Sequence, residues 1–134
     1  MAYWLVKTDP DSYSWDNLVK DKKVVWDGVR NYQARNNLMK MLIGDEVLVY
    51  ESQSPKIVTG ITTVTKEYFP DPTTEDNAWV AVELKFKKSF KKHVSLEDIK
   101  SLPELGNIAL IRQSRLSVMP LTADEFEIIC SMGK

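Results

Sequence analysis

The stretch VVWDGVRNYQARNNL, residues 24–38, combines features that neither an ordinary core strand nor an ordinary loop would carry. Trp26 stands two residues before Gly28, and Arg30, Arg35 and three asparagines follow at once. A core strand disfavours so many polar side chains, and a solvated loop disfavours a tryptophan. A glycine here lets the backbone approach a ligand closely or leaves the next amides able to donate hydrogen bonds. The stretch therefore predicts a strand that ends at a site for a flat, polar ligand.

A plainer interpretation of the same residues stays open. Trp26 would cap the core, Gly28 would serve a turn, and Asp27 would be a turn or cap carboxylate instead of a catalytic group. The other tryptophans lie in strand or helix patterns that predict core packing: Trp4, Trp79 and Trp15. Trp26 is thus the tryptophan for which stacking on a heteroaromatic ligand remains an alternative to core packing.

The composition predicts one ordinary soluble domain over residues 1–134. Apolar residues make up 43% of the chain and charged residues 28%, which suits a globule of this size with a real core. The net charge of −1 gives no field that draws the whole protein to nucleic acid or membranes, so such contacts need local basic patches. No segment fits a membrane span or a signal peptide, and we expect a cytoplasmic protein, nuclear in a eukaryote.

The sequence contains none of the common catalytic or metal-binding patterns. It has no Gly-rich phosphate loop, no Cys/His metal spacing and no nucleophile elbow. His93 is the only histidine and lies among lysines, and Cys130 is the only cysteine. The setting of Cys130 predicts a buried, inert thiol on the apolar face of a helix. We therefore expect no metal, no cofactor and no histidine-based catalysis.

All four arginines lie in two short stretches, GVRNYQARN and IRQSRLS, and every other basic residue is lysine. Guanidinium groups recognise phosphates, carboxylates and base edges in a planar, bidentate way. Their segregation predicts that two distant segments meet at one polar site. Ordinary salt bridges with the nineteen acidic residues explain the arginines equally well.

The order of elements predicts an α+β, mainly β fold. Strand patterns cover YWLVKT, KKVVWDG, EVLVYES, KIVTGITTVTKEYF and WVAVELKFKKSF, and NIALIRQSRLSVMPL carries another extended segment. The strands do not alternate with long helices, which favours a mixed, curved sheet or small open barrel with short flanking helices. Gly60 inside the longest strand predicts a bulge or a close backbone approach. Ser12 or Ser14, Asn31 and Thr122 are the expected helix N-caps.

Five blocks of the chain resemble, in order, the signature blocks of the EVE domain family: YWLVKTDP, VVWDGVRNYQARNNL, GDEVLVYES, IVTGITTV and IRQSRLSVMPLTADEF. They span nearly the whole chain, and WDGVRNYQARN is a long and specific match. The resemblance implies a PUA-like fold, a small curved mixed β-barrel with peripheral helices, related to the YTH domains that read a methylated adenine in RNA. It also implies a non-catalytic reader of a modified base in DNA or RNA, for example a modified cytosine or a methylated adenine.

The resemblance further implies a pocket for a flipped base, in which Trp26 corresponds to the first wall of the aromatic cage of YTH readers. No residue matches the second and third tryptophans of that cage. Arg30, Arg112 and Arg115 would partly hold phosphates and partly brace the pocket, and Arg35 and its neighbours Asn36 and Asn37 would brace the helix. The implied base-binding residues are Lys7, Thr8, Trp26, Asp27, Gly28, Val29, Arg30, Asn31, Tyr50, Ser52, Arg112, Gln113, Ser114, Arg115 and Ser117.

Two alternatives to a reader remain. Lys7 and Asp27, if buried together, would form an acid/base pair with shifted pKa values in an enzyme acting on a nucleobase or nucleotide. A small metabolite or an anion could instead occupy the pocket of a binding module. If the protein is a reader of modified bases, the expected partner is DNA or RNA carrying such a base, with no membrane association.

Overall fold

The strand patterns fold into one six-stranded sheet. In the computed structural model, which describes residues 1–134, the strands are β1 (Tyr3–Thr8), β2 (Lys23–Trp26), β3 (Glu46–Glu51), β4 (Ile57–Pro70), β5 (Val80–Ser95) and β6 (Val118–Leu121). Their order across the sheet is β2-β5-β4-β3-β1-β6. β1 runs parallel to β3, and all other neighbours are antiparallel. The predicted mixed, mainly β architecture is confirmed, and the sheet is open between β2 and β6.

Short helices lie between the strands and follow them. They are α1 (Trp15–Asp21), α2 (Tyr32–Lys40), α3 (Leu96–Lys100), α4 (Ala109–Arg112) and α5 (Ala123–Met132), with a 3₁₀ turn at Pro103–Leu105. The side chains of Ser14, Asn31 and Thr122 cap α1, α2 and α5, as their positions before apolar runs predict. None of the helices is long and apolar enough to cross a membrane.

The stretch NIALIRQSRLSVMPL carries the predicted extended segment, but only at its end. Strand β6 covers its end, but residues 109–112 form α4. Leu105 and Ile108 are buried three residues apart, and the amides of Ile111 and Arg112 donate to the carbonyl of Ile108. That spacing suits a helical turn, which the β-branched residues of the segment obscured.

Gly60 provides both features that its position inside a strand predicts. The pairing of β4 with β3 and with β5 shifts register beside it, which is a bulge. A Cβ at Gly60 would collide with the indole of Trp15 and lie 2.5 Å from the carbonyl oxygen of Lys88. Trp15 is fixed there by a 2.9 Å hydrogen bond from its Nε1 to Ser89 Oγ. The bulge thus seats α1 against the sheet.

The tryptophans divide differently from the prediction. Trp4 and Trp15 are buried in the core, as expected, and Trp26 joins them there. The expectation for Trp79 was wrong, because it is only half-buried and precedes the first residue of β5. Trp79 packs on the exposed ring of Tyr32 instead of the core.

The two edges of the sheet approach each other. β2 forms one edge and β1 lies beside the other, yet residues of both line a single cleft, so the sheet must curl strongly. α2 covers the gap, since Asn37 Nδ2 donates a buried 2.7 Å hydrogen bond to the carbonyl of Val118 in β6. The bracing role predicted for Asn37 is confirmed.

Candidate nucleic-acid interface

The ends of β1 and β2 border an open cleft with a volume of about 680 Å³. This volume lies within the range of about 300–1,000 Å³ common to ligand sites. Its lining comprises Lys7, Thr8, Asp9, Ser12, Tyr13, Ser117 and all residues from Val24 to Arg30. The predicted site residues that it brings together are Lys7, Thr8, Trp26, Asp27, Gly28, Val29, Arg30 and Ser117.

Trp26 serves the core and the cleft at once. Its side chain is 8% exposed and belongs to the main apolar cluster, so its orientation is fixed by packing. Its indole Nε1 donates to no protein atom, and no fully buried polar side-chain atom in the chain lacks a partner. The indole nitrogen is therefore not fully buried, and Trp26 presents part of its rigid ring to the cleft that it lines.

Gly28 adopts a conformation that side chains rarely take, with φ of +76°. This turns its amide toward Asp71, and Gly28 N donates to Asp71 Oδ2 at 2.9 Å. The carboxylate therefore already occupies the amide of Gly28, and the prediction that the amides after the glycine donate to a ligand stays a prediction. The glycine shapes the rim of the cleft instead.

Asp71, which sequence reasoning missed, is the anchor of this rim. It is 2% exposed and accepts hydrogen bonds from Gly28 N, Arg30 Nη1, and the amide and hydroxyl of Thr73. Burial acts to raise the pKa of Asp71, but the hydrogen bonds from Thr73, Arg30 and Gly28 outweigh it and hold the pKa well below its usual range. The Asp71-to-Thr73 spacing is a recognisable Asx-turn signal, whereas the contact with Gly28 has none.

Arg30 is committed to bracing. Its Nη1 lies 2.9 Å from Asp71 Oδ2 and 3.0 Å from the carbonyl of Val29, and its Nη2 lies 3.1 Å from Thr73 Oγ1. These bonds satisfy much of the guanidinium's donor capacity. Of the two roles predicted for Arg30, the geometry supports the bracing of the pocket.

Lys7 and Asp27 lie in the same cleft without forming an ion pair. Lys7 Nζ donates to the carbonyl of Ser114 at 2.7 Å, and burial followed by the charge of Lys56 lowers the pKa of Lys7. Burial and then the charge of Asp71 raise the pKa of Asp27 above its usual value. The salt bridges of the chain join other residues, Arg30 to Asp71 and Lys87 to Glu46.

A second cavity, of about 320 Å³, lies next to the cleft and is lined by Asn31, Gln33 and residues 112–116. The hydrogen bonds of Lys7 to Ser114 and Ser117 join the two cavities. The two arginine-bearing stretches therefore meet as predicted, but the first stretch contributes Asn31 and Gln33 to this cavity and neither of its arginines. The predicted residues Arg112, Gln113, Ser114 and Arg115 lie here, outside the main cleft.

Comparison with known proteins identifies the family. The sequence profile of the EVE domain matches residues 2–132. This chain belongs to the EVE domain family. Thymocyte nuclear protein 1 from Homo sapiens is 32% identical, over 98% of this chain and 73% of that protein. The resemblance inferred from the sequence blocks is confirmed.

Solved structures of related proteins share the fold of this EVE domain. Rpa0253 from Rhodopseudomonas palustris, solved by NMR, is 40% identical with a TM-score of 0.93, over 99% of this chain and 93% of that one. Human THYN1 in complex with DNA containing 5-methylcytosine is 31% identical with a TM-score of 0.94, over 100% of this chain and 98% of that one. The Mmi1 YTH domain, at 13% identity and a TM-score of 0.60, shares the fold alone.

The aromatic lining of the cleft in this EVE domain consists of Trp26 and Tyr13. Sequence reasoning missed Tyr13, which follows β1 and donates from its hydroxyl to Asp21 Oδ2 at 2.9 Å. Burial, with the hydrogen bond to Asp21 second, raises the pKa of Tyr13 to about 12, so the phenol is neutral at physiological pH. The cleft thus pairs an indole with an uncharged phenol.

Tyr50 and Ser52 lie outside both linings of this EVE domain. Tyr50 is buried in the core beneath Lys7, whose Nζ lies 5.9 Å from the centroid of the Tyr50 ring. Ser52 donates from its amide and hydroxyl to the carbonyl of Thr8. The expectation that these residues border the pocket is corrected: their contacts hold the end of β1, which carries Lys7 and Thr8 into the cleft.

Proposed function

We propose that this EVE domain is a non-catalytic nucleic-acid-binding module that takes one modified base, flipped out of DNA or RNA, into the cleft between β1 and β2. The observation that carries the proposal is the rigid Trp26 surface in a cleft of about 680 Å³. Membership of a family in which human THYN1 was solved with 5-methylcytosine-containing DNA supports it. That complex makes a modified cytosine the first base to test.

Stacking on Trp26 supplies the base with its main apolar contact. Flipping costs a few kcal/mol, and stacking returns roughly 1–3 kcal/mol per base, so stacking alone barely compensates for the flip. The remaining free energy must come from hydrogen bonds to the base edge and from phosphate contacts. Lys7, Thr8 and Ser117 line the same cleft as Trp26 but come from other segments of the chain. They are the proposed polar contacts.

The phosphates of the strand would lie along the second cavity. Arg115 is exposed and makes no hydrogen bond or salt bridge, whereas Arg112 Nε is held by the carbonyl of Gly106 at 2.8 Å. An unpaired guanidinium beside the cleft suits a phosphate better than one that the fold already uses. We therefore assign a phosphate contact to Arg115 and a bracing role to Arg112 and Arg30.

The test is a titration of fluorescein-labelled oligonucleotides, single- and double-stranded DNA and RNA, followed by anisotropy. Each strand carries one methylated or hydroxymethylated cytosine, one methylated adenine, or no modification. We expect selective binding of one modification that is lost in Trp26→Leu, which keeps an apolar side chain but removes the ring. Trp15→Leu is the matched control, because it also removes a buried core indole but one that lies outside the cleft.

Two further measurements separate the alternatives. Binding of a polyanion should weaken steeply as salt rises, whereas binding of a neutral metabolite should hardly change. Incubation with a panel of modified nucleosides and nucleotides, followed by mass spectrometry, tests catalysis by Lys7 and Asp27. A new product that disappears in Asp27→Asn would replace the reader with an enzyme, and equal affinity for every modified and unmodified strand would overturn base reading.

A further inference from the structure

Four planar side chains form a row that begins at the rim of the cleft and runs away from it, which we name the aromatic ledge: Arg30, Trp79, Tyr32 and Arg35. The ring centroids of Tyr32 and Trp79 are 4.9 Å apart with an interplanar angle of 32°. The guanidinium carbon of Arg30 lies 5.6 Å from the centroid of the Trp79 ring, and that of Arg35 lies 4.9 Å from the Tyr32 ring. No other part of the molecule assembles such a row.

The ledge faces solvent although its rings are large. Tyr32 is 61% exposed, Trp79 is only half-buried, and neither side chain donates a hydrogen bond to the protein. The other three tryptophans are all buried in the core. A tyrosine–tryptophan pair left outside therefore contributes less to folding than buried rings do, and leaves aromatic surface exposed to a ligand.

The ledge is held rigidly and is tied to the cleft. Arg35 Nη1 donates to the carbonyl of Ala78 at 3.1 Å, and the amide of Asp71 donates to the carbonyl of Trp79 at 3.1 Å. Asp71 is the residue that also fixes Gly28 and Arg30 at the rim of the cleft. Arg30 belongs to both features, so the ledge and the cleft share one side chain.

The charge of the ledge suits a nucleotide. Arg30 is neutralised by Asp71, but Arg35 bonds only to Asn36 Oδ1 and the Ala78 carbonyl and has no carboxylate within 4.0 Å. Of the acidic residues in the neighbouring loop, Asp76 uses its Oδ1 to accept from the amide of Ala78. The hydrogen bonds of Arg35 hold it in place but leave its positive charge uncompensated, and a cation next to exposed rings suits an unpaired base on a negatively charged strand.

We propose that the aromatic ledge binds an unpaired nucleobase next to the base held in the cleft, which rests on the proposed function. The ledge acts through stacking and one cation, so it accepts any base and adds affinity without adding discrimination between modifications. The ledge also favours single-stranded or locally unpaired nucleic acid, because a neighbouring base that is stacked and paired in a duplex cannot stack on the ledge. Modification is thus read in the cleft, and strand opening is read on the ledge.

The experiment uses single-stranded heptamers with a central 5-methylcytosine or cytosine, intact or with an abasic site on either side of it. Removal of the stacked neighbour should weaken binding to the wild-type protein by about 5- to 140-fold, and removal of the other neighbour should matter little. Tyr32→Ala should weaken binding of the intact strand by a similar factor and make it insensitive to that abasic site. Tyr32→Phe should behave as the wild type does. Tyr68→Ala removes an exposed tyrosine of β4 as a control and should change nothing.

The outcomes separate the ledge from the cleft. If Tyr32→Ala binds with unchanged affinity, or still loses affinity at the abasic site, the ledge is overturned. In that case a preference for 5-methylcytosine that is lost in Trp26→Leu would still support base reading in the cleft. A wild type that ignores the methyl group but shows the Tyr32-dependent abasic penalty would retain the ledge and remove 5-methylcytosine as the base that the cleft reads. If no heptamer binds, both proposals fail.

Discussion

The amide of Gly28 donates to Asp71 Oδ2 at 2.9 Å across a separation of 43 residues. This bond joins the turn after β2 to the loop between β4 and β5, and the same oxygen receives Arg30 Nη1. The rim of the base cleft and the support of the aromatic ledge therefore depend on one buried carboxylate. Interactions among the residues of this group should be strongly coupled.

Replacement of that carboxylate should destabilise the fold and weaken ligand binding together. In Asp71→Ala the amides of Gly28 and Thr73 lose their acceptor, and we expect a loss of about 3 kcal/mol in the free energy of unfolding. Urea denaturation measures it. Glu75→Ala, which removes an exposed acid of the same loop without hydrogen bonds, should leave stability within about 0.5 kcal/mol. A loss below 1 kcal/mol in Asp71→Ala would mean that water replaces the carboxylate.

The low pKa of Asp71 gives its contribution a defined pH dependence. Because the folded-state pKa lies below the unfolded value of about 3.9, the stabilisation is complete above that value and is lost as pH falls further. The stability difference between wild type and Asp71→Asn should therefore be constant from pH 7 to about 5 and shrink below about pH 4. Urea unfolding at a series of pH values measures it, and a difference that stays constant down to pH 2.5 would contradict this origin.

Asp27 provides a control of opposite sign. Its pKa is raised in the folded state, so its charge opposes folding at neutral pH and this penalty vanishes below the unfolded value. Asp27→Asn should be slightly more stable than the wild type at pH 7 and equal to it at pH 3. A destabilised Asp27→Asn at pH 7 would indicate that the ionised carboxylate is held by favourable contacts.

The local parts of this architecture could be predicted from sequence, and the long-range parts could not. Caps such as Asn31 and Thr122 depend on a few neighbouring residues, so their signals are complete in a short window. The partnership of Asp71 with Gly28, and of Tyr32 with Trp79, arises only when β2 pairs with β5 and brings the two loops together. Patterns of polarity carry no information about such pairs.

The same distinction explains the errors at the site. The alternation of side chains along β3 is compatible with Tyr50 at the border of the pocket. Alternation shows which residues share a face of the sheet, but not which face of a curled sheet is covered. The ring of Tyr50 is in fact buried in the core. Trp79 carries the strand pattern of the residues that follow it, yet it precedes β5 and stacks on a helix residue. Trp26 fits both the core and the ligand interpretation, since a largely buried indole can still present part of its ring to the cleft.

Gly60 should be the glycine whose replacement costs the most. A methyl group there would meet the carbonyl of Lys88 at 2.5 Å as well as the indole of Trp15. Because a backbone carbonyl cannot move without breaking the β4–β5 pairing, we expect Gly60→Ala to lose at least about 3 kcal/mol, as overpacking at its upper range does. Thermal unfolding measures it, and the double variant Gly60→Ala/Trp15→Phe should recover only part of the loss. Full recovery would assign the whole clash to the indole.

Gly28 and Gly44 form a matched pair that separates stability from function. Both have positive φ, +76° and +94°, and a methyl group on either would meet no atom within 4 Å, so replacement by alanine costs backbone strain alone. We expect both Gly28→Ala and Gly44→Ala to lose about 1–2 kcal/mol in unfolding free energy. Only Gly28 lies at the cleft, where relief of the strain would shift the turn that carries Asp27 and Arg30. Anisotropy titrations below the unfolding transition should therefore show weaker oligonucleotide binding for Gly28→Ala and unchanged binding for Gly44→Ala. Equal binding by the two variants would show that the turn after Trp26 serves folding and takes no part in holding the base.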